Sequence, residues 1–203
     1  MLRSLEGREF MLFRTLIATT VVSLTFAILP VAPVSAAPST TPINDQLGPT
    51  LFRALATSNV TLAQSLFYPE AAYVALKTGR LPAPASDYAN RLQAFFNLDI
   101  AAYHQLLASG GPAHYLRTVV DPSLATWIAP GVCENGSGYW HEPPIRLVYR
   151  QAGLVKSFAV DSLITWQNRW YVIHLGPNPR PSNVGTVDLP LRGPGRPGPA
   201  GGC

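Results

Sequence analysis

The chain changes texture once, at Gly110-Gly111-Pro112, and that change limits what it can fold into. Before it, apolar residues recur at helical spacings, first as Leu51, Leu55, Leu62 and Leu66, then as Leu92, Phe95, Phe96, Ala102, Tyr103 and Leu106. After it they alternate with period two. Ile145, Leu147 and Tyr149 fall on one face of "IRLVYRQA", with Arg146, Val148 and Arg150 on the other. Phe158, Val160, Ile164 and Trp166 share a face of "LVKSFAVDSLITW", and "AHYLRTVV" and "RWYVIHLG" complete the set. Helices followed by an antiparallel meander predict an α+β domain, with helices covering one curved sheet of at least four strands.

Local punctuation agrees with that order. Ser58 is placed to cap a second helical segment, Pro69 to start a third, and Gly79 to stop it. Pro82 and Pro84 mark a linker, after which Ser86 or Asp87 makes an N-cap. Gly153 supplies one strand turn, and Asn168 suits the positive φ of the next. Asp99 interrupts the apolar stripe. Either the helix breaks at Asn97 and Asp99 caps a new segment, or the helix is continuous and Asp99 points into a cavity. Its residue type favours the cap, because an Asx side chain satisfies free backbone N–H groups there.

Both ends read as outside the domain. Residues 1–36 combine a basic start, an uncharged 15-residue run from Thr15 to Leu29 and a small-residue exit, the pattern of a secretory signal peptide. The run is shorter than the roughly 20 apolar residues of a membrane span, so the expected tie to the membrane is the export signal alone. Residues 177–203 hold 7 Pro and 6 Gly, and such composition predicts a mostly extended, flexible tail. Residues 37–176 are left as a single domain. They carry nine basic and eight acidic residues, a net of +1, so most of the formal +4 belongs to the ends and no nucleic-acid footprint is present.

Cys133 and Cys203 are the only cysteines. In an exported chain a bridge between them is the expected state, closing a loop worth about 4 kcal/mol in the chain-entropy view; a bridge between chains through Cys203 is the alternative. Cys133 opens "CENGSGYWHEPP", which holds His141 and Glu142. A zinc site there would draw on Cys133, His141, Glu142 and His174, but no metal-ligand spacing is present. Ser137 lacks a nucleophile elbow. The stretch reads as turns, with His141 capping one of them. No cofactor motif is found.

Two resemblances add to this. The segments "FYP", "DYANRL", "DIAAYH" and "HLGPNPRPSN" resemble a group of exported actinobacterial, mycobacterial-type proteins of unknown function. That resemblance implies export and carries no catalytic residues. "LFRALATSNVTLAQSLFYPEAAYV" is similar to the helical opening of the NTF2-like superfamily, in which a helix packs into the mouth of a curved antiparallel sheet. It implies a cone with an apolar pocket, whose candidate occupants here are Asp99, Tyr103 and His174. Asp99 and Tyr103, at i and i+4, share a face of a continuous helix.

Three functions remain in view. The leading one is a non-enzymatic protein of the cell envelope or extracellular space, binding an apolar small molecule or an envelope protein. The second is a small NTF2-like enzyme moving a proton with Asp99. The third is a structural module without a pocket. Where Asp99 points separates them.

Overall fold

A computed structural model describes residues 36–180 and 183–199. The fold is α+β, with helices followed by two antiparallel sheets. The signal-peptide expectation for 1–36 falls almost entirely outside the described residues, as does Cys203. No helix among the described residues is long and apolar enough to cross a membrane.

The helices are α1 (Gly48–Ala56), α2 (Val60–Gln64), α3 (Glu70–Lys77), α4 (Pro84–Asp87) and α5 (Ala94–Ser109). A π-helical turn, Ile43–Leu47, leads into α1, and another, Tyr88–Gln93, joins α4 to α5 without a break. Asn59, not Ser58, caps α2 by accepting from the Leu62 amide. Pro69 does start α3, which stops just before Gly79. Pro84 belongs to the helix it was expected to precede, and Asp87 pairs with Arg91 one turn on instead of capping.

The strands are β1 (Ala113–Val119), β2 (Thr126–Ile128), β3 (Tyr139–Glu142), β4 (Ile145–Gln151), β5 (Leu154–Val160), β6 (Ser162–Trp166), β7 (Arg169–His174) and β8 (Leu191–Arg192). They form two four-stranded sheets, ordered β1-β4-β5-β8 and β2-β3-β6-β7, in place of the single curved sheet expected. The division has a local cause. β3–β4 and β5–β6 are two arms of one long hairpin. Pro143 and Pro144 interrupt the first arm, and proline has no N–H for a ladder. Asp161 interrupts the second, and its amide donates to Leu175 instead. The hairpin therefore crosses from one sheet to the other. Its tip uses Ala152 and Gly153 at positive φ, and the β6–β7 turn uses Gln167 and Asn168 in the same way. Trp166 lies opposite Arg169 and Trp170 opposite Thr165, so the two tryptophans occupy opposite faces.

The core lies between the helices and the sheets. Phe67 stacks on Phe96 of α5 at 4.1 Å, Tyr103 meets Phe158 of β5 at 4.7 Å, and Phe52 of α1 meets Tyr149 of β4 at 5.5 Å. Each such pair adds about 1 kcal/mol to the burial of its rings.

The carboxy-terminal segment departs most from its composition. Residues 177–180 and 183–199 lie on the body as a strap rather than as a loose tail. β8 pairs with β5, and the Gly193 and Gly198 amides donate to the carbonyls of Val155 and Pro144. A Cβ on Gly185 would come within 2.4 Å of the Leu98 carbonyl, so only glycine lets the strap approach α5 here. The proline-rich strap has little core of its own. Its order comes from single polar residues docking on groups of the folded domain.

Candidate functional site

α5 runs through Asp99 without a break, so Asp99 does not cap a helix. It does not line a cavity either. Its side chain is fully buried and accepts from five donors. These are the amides of Gly176 (3.0 Å) and Thr186 (2.8 Å), the Thr186 hydroxyl (3.3 Å), and two nitrogens of Arg180 (2.9 and 2.5 Å). The Arg180 guanidinium also lies 4.3 Å from the Phe95 ring centre. With its oxygens engaged in this way, the carboxylate is not placed to take a proton from a ligand.

Tyr103 stands one turn further on, on the same helix face, as its spacing requires. Its hydroxyl donates to the Ala159 carbonyl (2.9 Å) and accepts from the Asp188 amide (2.9 Å). Burial pushes this phenol well above the usual range. Asp188 in turn accepts from the Ala159 amide (2.8 Å) and from Arg146 (3.1 Å). The face carrying Asp99 and Tyr103 thus receives the strap rather than a ligand.

His174, the third candidate, lies elsewhere. It opens onto a cleft of about 750 Å³ whose walls come from α3, the Tyr88–Gln93 turn, the β2–β3–β6–β7 sheet and the strap. The floor includes Leu76, Leu92, Ile128, Ile164 and Ile173. His141 lines it too, as a residue of β3 and not as a turn cap. Burial, reinforced by the positive charges of Arg91 and Arg180, pushes His174 down to about 4, and burial lowers His141. Both imidazoles are therefore neutral at physiological pH. Asp161, at the break in the hairpin, is pushed up to about 6 by burial, against the pull of the Asn178 amide.

The cations of the cleft are committed. Arg91 grips Asp87 through Nε (2.7 Å) and Nη2 (2.6 Å), and Nη2 also donates to the Tyr73 hydroxyl (2.9 Å). Tyr73 in turn donates to Asp87. That pairing holds Asp87 below the usual carboxylate range, while burial raises Tyr73. Lys77 donates to the Cys133 carbonyl at 2.7 Å, which fastens "CENGSG" to α3. Burial lowers Lys77, partly opposed by the Glu134 carboxylate.

Cys133 is not a free thiol. Among the described residues no cluster of three or more metal-ligating side chains exists. Glu142 is fully buried with neither oxygen paired, and burial pushes it up to about 7.

Sequence reasoning reached His174 but missed Lys77, Arg91, Asn135 and Asp161. Only Asp161 carried a signal, as a charge interrupting an alternating run opposite a double proline. No protein-family model, curated protein or solved structure matches the chain.

Proposed function

We propose that the chain is an exported, non-catalytic binding protein that holds an apolar small molecule in the cleft beside His141 and His174. The carrying observation is the contrast between two places. The Asp99 face is filled by the strap, whereas the His174 cleft combines an apolar floor with polar groups at its walls. That combination is the ordinary make-up of a ligand site, and about 750 Å³ falls within the usual range of such sites.

Export rests on the character of residues 1–36 and on the resemblance to exported actinobacterial proteins. Localisation to the envelope or extracellular space follows from the same residues. The NTF2-like reading of the fold rests on the resemblance of residues 51–74 and on the order of helices before antiparallel strands. The proton-transfer enzyme built on Asp99 loses its support, because Asp99 is saturated by the strap.

Native mass spectrometry of protein purified from its own host tests the proposal. An apolar adduct is expected. A bare chain that also fails to take up added amphiphiles would move the reading to a partner-binding module.

A further inference from the structure

The polar groups of the cleft say what kind of molecule it suits. Asn135 is only 1% exposed. Its Nδ2 donates to the Tyr139 hydroxyl at 3.0 Å, yet Oδ1 receives no donor. A buried acceptor left unmet is costly until something donates to it. Tyr139 and His141 are two residues apart on β3 and so project from the same face, both into the cleft. Neither the His141 ring nor the His174 ring hydrogen-bonds to a described residue, and each neutral ring offers one donor and one acceptor.

Charge narrows the choice further. Arg91 is paired with Asp87, and Arg180, behind His174, with Asp99. Lys77 is bonded to a carbonyl and lies in the field of Glu134. An anionic head would find no unpaired cation. A carboxylate also has no proton to give Asn135. An ammonium has no lone pair to accept from a histidine ring, and its charge would meet Lys77 and Arg91 as well as Glu134 and Asp161. What remains is a neutral group that both donates and accepts.

We infer that the cleft binds an uncharged apolar molecule bearing a hydroxyl or an amide N–H, which donates to Asn135 Oδ1 while its oxygen accepts from His141. This rests on the cleft being the ligand site, and the test separates the two claims.

Full-length protein is titrated calorimetrically at neutral pH with 1-decanoylglycerol, with decanoate and with methyl decanoate, all below their micelle concentrations. The three share one acyl chain and differ in the head. The expected result is that 1-decanoylglycerol binds roughly tenfold more tightly than either of the others, the worth of one well-made hydrogen bond. Asn135→Ala and, separately, His141→Phe should each reduce that preference to about threefold or less. His141→Phe keeps the test open if the Asn135 variant misfolds. Equal binding of all three, or preference for decanoate, overturns the ligand class and leaves the cleft reading standing. Failure of all three to bind overturns both.

Discussion

Arg180 bonds both oxygens of Asp99 across 81 residues of chain, Nη1 to Oδ1 at 2.9 Å and Nη2 to Oδ2 at 2.5 Å. The side chains are 4% and 1% exposed, so the pair is almost wholly out of water. Asp99 is presented by the middle of α5, and Arg180 leads the strap away from β7. The contact turns a segment with the composition of a loose tail into part of the wall around the His174 cleft, which Asn178, Pro179 and Pro199 help to line.

Asp99→Asn leaves the Arg180 guanidinium buried without its counter-ion. Breaking a buried pair by removing one partner costs about 3–5 kcal/mol. Urea unfolding should show a loss of that size. Hydrogen exchange should show the Thr186 and Asp188 amides losing protection while β4 and β5 keep theirs. Adding Arg180→Met to Asp99→Asn should recover part of the stability, since the stranded charge is then gone. An unchanged urea midpoint in Asp99→Asn would rule out the strap anchor.

Glu142 gives a pH dependence of definite sign. Burial pushes its carboxyl up to about 7 in the folded chain, against an ordinary value of 4.5. The native state holds the extra proton between those values, so the stability it contributes is full below pH 4.5 and is lost as pH rises through about 7. His174 acts in the opposite sense: its folded value is lowered from 6.5 to about 4, so its contribution is full above 6.5 and is lost on acidification. The stability difference between Glu142→Gln and the native chain isolates the first effect. It should move by roughly 3 kcal/mol in the variant's favour between the two Glu142 values. A difference that stays constant across that window contradicts a buried, unpaired Glu142.

The expectation of a bridge from Cys133 to Cys203 is checked by counting thiols. Denatured protein prepared without reductant should titrate no free thiol. On a non-reducing gel it should run as a monomer. A disulfide-linked dimer would assign the bridge to Cys203 of two chains, and two titratable thiols would remove it altogether.

Much of the fold was legible in the sequence, and most of the site was not. Period-two alternation located β4, β5 and β6, although both faces of β4 are largely buried. The β6–β7 turn was legible because Asn168 suits the positive φ it takes there; that Gln167 shares it was not. Asp99 misled for a physical reason. The preference of Asx for helix caps holds when no distant partner competes, and its partners here, Arg180 and Thr186, sit in a segment whose Pro and Gly content hides them. Arg146 is similar. Alternation put it on the outer face of β4, yet it is buried, because it bonds Ser157 and Asp188 and Gly195 lies against it. Lys77, Arg91 and Asn135 left no pattern, since what unites them is the way α3 and the Tyr88–Gln93 turn meet the second sheet. Such meetings are set by the whole packing and not by spacing along the chain.

The most direct test of the account is native mass spectrometry of the protein from its own host, run beside Ile128→Trp, which fills the cleft from the edge strand β2. The account predicts a non-covalent small-molecule adduct on the native chain and its absence from a folded Ile128→Trp. A bare native chain, or an adduct that survives in the filled variant, would contradict it.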